Sequence, residues 1–149
     1  MLNMKASAVA SKPLDNNRGF TLLELLVVMV IIGLLAGYVG PKYFAQIDKS
    51  KVKTAKAQID SLGKALDQYK LDTGHYPSTE NGLISLNLAP ANEPKWRGPY
   101  LAKKVPIDPW DKFYEYKMPG EHGDYDLWSF GSDGQSGGKD DAADIVSWE

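Results

Sequence analysis

Hydrophobic and polar positions along this chain fall into successive patterns. Residues 1–19 are polar, with Lys5, Lys12 and Arg18 against a single acid, Asp15, and show neither helical nor strand periodicity. An apolar run then extends from Phe20 to Gly40. As a helix, its about 21 residues span roughly 31 Å, close to the roughly 30 Å hydrocarbon thickness of a bilayer. Beyond Pro41 the apolar positions recur every three or four residues. Val52, Ala55, Ile59, Leu62, Leu66 and Tyr69 make one stripe, while Lys51, Lys53, Lys56, Asp60, Lys64 and Asp67 mostly take other faces. Asp60 and Lys64 stand at i, i+4, a weakly helix-supporting pair. The pattern predicts one long helix over about residues 20–72. Pro41 can bend or end a helix, so a kink is to be looked for at Gly40-Pro41. Gly74 suits the C-terminal cap, and Tyr76-Pro77 cannot continue the helix.

The second half reads differently. Six prolines between Pro77 and Pro109 punctuate a loop-rich stretch, residues 73–112, in which Asn81 to Leu88 allows one short helix. Phe113–Met118 and Tyr125–Phe130 have the aromatic content of strands, joined by the turn-forming Pro119-Gly120-Glu121-His122-Gly123. Gly131–Asp141 is rich in Gly and Asp, and Ile145–Trp148 fits a last short strand. The expected fold class is therefore α+β. A long N-terminal helix, first membrane-spanning and then amphipathic, packs on a small C-terminal antiparallel sheet, which buries both apolar faces. The expected parts are a leader 1–19, an apolar helix 20–41 and a domain 42–149. The domain divides into helix 42–72, loops 73–112 and sheet with acidic loop 113–149.

Composition narrows the function. The chain has 149 residues and a formal net charge of −2, a balance that gives no support to a nucleic-acid partner. It has no cysteine, which excludes disulfides, zinc–thiolate sites and a cysteine nucleophile. The two histidines, His75 and His122, read as loop residues. There is no Gly-rich phosphate loop. Positive charge ahead of the apolar run orients the N-terminus to the cytoplasm. Two plainer readings of that run are a cleaved secretory signal peptide and an ordinary signal anchor. A signal peptide's apolar region is normally shorter, about 7–15 residues.

The junction Arg18-Gly19-Phe20-Thr21-Leu22-Leu23-Glu24 is the most informative segment. A basic leader ends in Gly19, the span starts at Phe20, and Glu24 lies inside the span. A lone carboxylate at mid-span costs about 2.5–3.5 kcal/mol on insertion scales, and less near the interface. Glu24 is then either an interfacial residue reaching headgroups or one that meets a positive group within an assembly. This junction, followed by the apolar span and Pro41, resembles the type IV pilin and pseudopilin superfamily. The resemblance implies cleavage after Gly19 by a membrane-embedded prepilin peptidase and N-methylation of Phe20. It also implies that Glu24 neutralises the terminal amine of a neighbouring subunit during assembly.

Further segments place the chain in one branch. Tyr69–Leu83, Asp108-Pro109-Trp110, Pro119–Gly123 and Ser129-Phe130-Gly131-Ser132-Asp133-Gly134 resemble, in order, the major pseudopilins of type II secretion. One departure is Asp111, which stands where that group carries Gly after Asp-Pro-Trp. The resemblance implies a non-enzymatic, single-pass bacterial inner-membrane protein with a periplasmic C-terminal domain. Its copies would stack into a helical pseudopilus that drives folded proteins across the outer membrane. Minor pseudopilins, the prepilin peptidase and an inner-membrane assembly platform would be its partners. The alternatives are a type IV pilin for adhesion or motility and, from another class, a membrane-anchored periplasmic enzyme or binding module.

Near the C-terminus Asp133, Asp140, Asp141 and Asp144 crowd together with Gly131, Gly134, Gly137 and Gly138. Carboxylates and carbonyls on a turning chain suit Ca²⁺, which takes six to eight oxygens in flexible geometry, though on composition alone a solvated acidic turn is the better reading. The spacing is not that of an EF-hand. The pseudopilin resemblance implies a Ca²⁺ site here, with Asp133 and Asp144 as ligands and the Phe130 and Gln135 carbonyls flanking Asp133. Ala143 stands where some members have Asp, which leaves open whether Asp140 or Asp141 compensates.

Overall fold

A computed structural model describes residues 19–149, so Lys5, Lys12, Asp15, Arg18 and the rest of the expected leader before Gly19 lie outside the described residues. Two compact units divide the chain, Met1–Gly40 and Pro41–Glu149. A single helix, α1, is recorded over Leu22–Thr73, with Pro41 inside it. The proline does not end the helix. Thr73 and Gly74 do: Gly74 takes φ 90° and its N–H donates to the Lys70 carbonyl at 2.8 Å. That left-handed residue is the cap the sequence suggested.

In the first unit the apolar helix side chains lie exposed, as with Leu22, Val28 and Ile32. It is the one described helix long and apolar enough to cross a membrane. In the second unit the predicted stripe is realised. Ala55, Ile59, Leu62, Leu66 and Tyr69 are buried, with Val52 packed at the edge. They share one core with Leu83 and Leu86 of a 3₁₀ turn (Leu83–Leu86), Tyr114, and Tyr116, Leu127 and Ile145 of the sheet. Fully burying a leucine contributes about 1.5–3 kcal/mol, so Leu62, Leu66, Leu86 and Leu127 each add substantially to the domain's stability.

The sheet is antiparallel, in the order β1 (Glu115–Lys117), β2 (Asp126–Ser129), β3 (Ile145–Val146). Tyr116 faces Leu127, and Ser129 faces Ile145. On β1, Glu115 and Lys117 point to solvent while Tyr116 points inward, the period-2 alternation of a half-buried strand. The strands are shorter than the aromatic runs suggested, for identifiable reasons. Thr79 Oγ1 accepts from the Met118 N–H at 2.8 Å and donates to the Met118 carbonyl at 2.9 Å, taking that residue out of the ladder. Gly131, at φ 63°, turns the chain away after β2.

Side chains tie the long loops to this core. Asn87 donates to the Lys103 carbonyl at 2.9 Å and accepts from the Val105 N–H at 3.0 Å. Trp96 Nε1 donates to the Ser85 carbonyl, and the Tyr100 hydroxyl donates to Asp72. Both histidines do lie in loops, but each is paired. His75 Nε2 is 2.8 Å from Glu93, and His122 Nδ1 is 2.9 Å from the buried Asp126. His122 also stacks flat on Trp148, ring centroids 4.0 Å apart.

Residues 108–112 form a tight reversal. Asp111 N–H donates to the Asp108 carbonyl at 3.1 Å, and Asp108 N–H to the Lys112 carbonyl at 2.7 Å. Closing it requires a left-handed residue, and Asp111 adopts φ 64°. This gives a physical reason for glycine at that position in the resembled family, since left-handed backbone costs L-residues roughly 1–2 kcal/mol and Asp somewhat less. Asp111→Gly is expected to leave stability unchanged or raise it by up to about 1 kcal/mol, whereas Asp111→Val should cost about 1–2 kcal/mol. Urea unfolding midpoints of the two variants against the parent chain check this.

Candidate assembly site and metal loop

The first candidate site is the start of α1. Glu24 is not the lone carboxylate expected from hydropathy. Its Oε2 accepts from the Thr21 N–H at 2.8 Å and from the Thr21 hydroxyl at 3.0 Å. In return Thr21 Oγ1 accepts from the Glu24 N–H at 3.1 Å. The pair is a reciprocal capping box, which satisfies donors that the first helical turn leaves open. Thr21-x-x-Glu24 is the sequence signature of that box, and it was readable beside the charge argument. Both contacts fall on Oε2, so the carboxylate's other oxygen remains for a further donor.

Gly19 and Phe20 precede the helix. Phe20 is almost fully exposed. Among the described residues, a Cβ added at Gly19 would meet no other atom within 4 Å. The fold itself therefore does not require glycine there. A cut between Gly19 and Phe20 would leave the Thr21 amide, and with it the capping box, intact.

The second candidate site is the loop after β2. Asp133 Oδ1 accepts from the Gln135 N–H at 3.0 Å, closing a turn of the loop on itself. Gly134, at φ 67°, sits against Lys112, whose ammonium occupies the space a Cβ would need. A short 3₁₀ turn, Asp140–Ala142, carries Asp140 at φ 52°. Asp144 closes the loop: its N–H donates to the Gly137 carbonyl at 3.2 Å, and its Oδ2 accepts from the Gly137 N–H at 2.9 Å.

These positions are brought together only in part. Asp140 and Asp144 line one cleft of about 560 Å³, which also meets Lys56, Ile59 and Lys64 of α1. Among the described residues no three His, Cys, Asp or Glu side chains gather at one point. The side chain of Asp141 lies outside the described set. Phe130 and Gln135 could contribute only carbonyl oxygens. One observation does bear on a cation. Asp144 Oδ1 is buried and has no hydrogen-bond partner. A buried acceptor left so costs about 1–3 kcal/mol, more if charged, unless a cation or water fills the position. The oxygen-only donor set fits a hard cation and not a soft one.

Asp108 and Ser129, which the sequence offered only as parts of resembled segments and without a role, are both buried and joined by a hydrogen bond of 2.5 Å. Asp at the first position of a turn is a familiar local signal. Its contact with a serine 21 residues on has none.

Comparison with known proteins accounts for both halves of the chain. The family model described as "Type II secretion system (T2SS), protein G" matches residues 42–148, and that described as "Prokaryotic N-terminal methylation motif" matches residues 14–39. The type II secretion system core protein G of Pseudomonas aeruginosa is 46% identical over 134 residues, covering 88% of this chain and 94% of that protein. The protein of the same name from Escherichia coli K12 is 46% identical over 137 residues, covering 90% and 92%. The crystal structure of the major pseudopilin from the type 2 secretion system of enterohaemorrhagic Escherichia coli aligns with a TM-score of 0.58 at 33% identity. It covers 70% of this chain and 92% of that one. An apolar helix whose start carries a methylation motif, running into a domain with this core and this sheet, places the chain in the type II secretion system protein G family.

Proposed function

We propose that this chain is the major structural subunit of a periplasmic pseudopilus, and that it acts by assembly and not by catalysis. The observation that carries the reading is the division of labour along α1. Its large apolar side chains are exposed from Leu22 to Ile47, whereas from Ala55 onward its stripe is buried by the chain's own domain. An apolar surface of that extent needs lipid before assembly and other copies of the helix afterwards. The names of the relatives from Pseudomonas aeruginosa and Escherichia coli support a secretion role over a type IV pilin for adhesion or motility.

In this reading the apolar helix anchors the chain in the inner membrane with the C-terminal domain in the periplasm. Prepilin peptidase cuts between Gly19 and Phe20, and Phe20 is N-methylated. Minor pseudopilins and an inner-membrane assembly platform take part in building a helical filament of identical subunits. Extension of that filament moves folded proteins through an outer-membrane channel. Glu24 keeps its cap through Oε2 and offers its other oxygen to the Phe20 amine of a neighbour, an opposite charge in a low-dielectric site.

The same reading gives the loop at residues 130–144 a Ca²⁺ ion. Asp133 and Asp144 would hold it, together with the Phe130 and Gln135 carbonyls and one of Asp140 and Asp141. Because no three acidic side chains converge among the described residues, most of the six to eight oxygens would be backbone carbonyls or water. The unpartnered Asp144 Oδ1 supports the assignment. Bound Ca²⁺ supplies positive charge that offsets carboxylate repulsion and pins a loop with little apolar content.

Three outcomes test these steps. Intact mass of the membrane-extracted protein is expected to fit a chain starting at N-methylated Phe20, and Gly19→Val should leave the leader attached. Since the chain has open space at Gly19, such a block would report the peptidase's requirement and not misfolding. A start near Gly40, or an uncut Met1, would overturn the pilin-type reading.

Glu24→Gln keeps a side chain that can still cap, while Glu24→Ala removes cap and charge together. Both are expected to insert and be cut, and both should fail to form filaments visible by electron microscopy in an overproducing strain. Filaments from Glu24→Gln at the parent's yield would mean that capping alone matters. A parent chain that stays monomeric under overproduction would favour an anchored enzyme or binding module.

The third outcome concerns the metal. Ligand binding to the folded state adds RT ln(1 + [L]/Kd), about 2.7 kcal/mol at a hundredfold excess over Kd. That is a rise in melting temperature on the order of 10 °C for a domain of this size. The rise should appear between EDTA and millimolar Ca²⁺, be far smaller with Mg²⁺, and vanish in Asp133→Ala and in Asp144→Ala. Equal melting in Ca²⁺ and EDTA would make the loop an ordinary solvated turn.

A further inference from the structure

Asp108 is a buried carboxylate, 2% exposed, to which the proposed function gives no task. It accepts three hydrogen bonds. Oδ1 takes the N–H groups of Trp110 at 3.0 Å and Lys112 at 2.8 Å, which holds the reversal at 108–112. Oδ2 takes the hydroxyl of Ser129 at 2.5 Å. Ser129, fully buried at the end of β2, accepts in turn from the Gly131 N–H at 3.2 Å. The polarity of this relay is fixed. A hydroxyl has one hydrogen, and the carboxylate can only accept it, so the Ser129 lone pairs are left to receive Gly131.

The Gly131 N–H belongs to the same planar peptide unit as the Phe130 carbonyl, and in a trans peptide the two point in opposite directions. Holding one therefore aims the other. Gly131, buried and at φ 63°, is the residue that turns the chain into the acidic loop. Without the relay, the Gly131 N–H would lose this partner and the 130–131 peptide one constraint on its orientation.

We infer that Asp108 and Ser129 are positioning residues for the metal loop: through Gly131 they orient the Phe130 carbonyl as a Ca²⁺ ligand. The inference rests on the calcium reading and deepens it. It links the Asp-Pro-Trp reversal, distant in sequence from the loop, to the affinity of the metal site. Groups that orient metal ligands from outside the coordination shell typically change affinity by about 10–100-fold when removed.

The test uses the full-length processed chain in detergent micelles, as parent, Ser129→Ala and Asp108→Asn. Calcium affinity is measured by isothermal titration calorimetry, and deuterium uptake at the Gly131 amide is followed in EDTA. Ser129→Ala is expected to weaken Ca²⁺ binding by about tenfold or more and to speed exchange at Gly131 in the absence of metal. Asp108→Asn, which retains an acceptor for Trp110 and Lys112, should shift the affinity in the same direction. A role confined to stability would lower melting equally in Ca²⁺ and in EDTA. Unchanged affinity in both variants, with the parent binding normally, would overturn the inference alone. A parent that takes up no Ca²⁺ would overturn the calcium reading and the inference with it.

Discussion

The C-terminal domain depends on one contact, the burial of the α1 stripe under a sheet too small to stand alone. Its strands have three, four and two residues. Such a sheet has no independent stability without a packing partner. Ala55, Ile59, Leu62, Leu66 and Tyr69 provide that partner, and Tyr116, Leu127 and Ile145 are the inward residues that meet them. Two tyrosines in this core have their hydroxyls satisfied: Tyr116 donates to the Pro77 carbonyl at 2.8 Å, and Tyr114 to Gln58 at 2.5 Å. Burial pushes both phenols up from their ordinary pKa, so they stay neutral donors at any physiological pH.

Around that core, polar side chains and not strands hold the chain. Thr79 replaces a ladder partner for Met118, Asn87 staples two loop segments, and Asp126 gathers the Glu121 and His122 N–H groups into the hairpin loop. Burial works against the charge on Asp126, but the hydrogen bonds from His122 and the backbone outweigh it and keep the carboxyl below its ordinary pKa. The loop-rich half of the molecule is thus built from carboxylates and amides that each satisfy two or three backbone groups.

How much of this was legible follows from how far each signal reaches along the chain. The helix, its Gly74 cap, the hairpin and the inward stripe depend on residues within a few positions of one another, so periodicity and turn chemistry expose them. The capping box at Thr21 and Glu24 was equally local, but the cost of a carboxylate in an apolar span drew attention to charge instead. Asp111 was readable only as a departure from the resembled Asp-Pro-Trp-Gly, and its φ supplies the reason. The Asp108–Ser129 bond, the Trp96–Ser85 bond and the stacking of His122 on Trp148 join residues that only the fold brings together. No spacing rule predicts such contacts. For the acidic loop, composition revealed the donor type but could not reveal that, among the described residues, Asp144 would keep a buried, unpartnered oxygen.

The capping box also changes how the carboxylate in the span is understood. An uncompensated Glu24 would have to be tolerated until a neighbour arrived. Hydrogen-bonded to Thr21, it is partly stabilised within its own chain, and the first turn of α1 is already formed. Under the proposed assembly, a positive group arriving in trans would meet a carboxylate already oriented by Thr21, with one oxygen engaged and one left over. Less conformational freedom is lost on pairing than if the side chain were ordered at that moment. The exposed apolar face that follows supplies a large but non-directional attraction. Sliding one such helix along another changes that attraction little, whereas a charge held at one point along the axis favours a single axial position. Under the proposed assembly, hydrophobic burial would hold the helices together and the capped Glu24 would set their register.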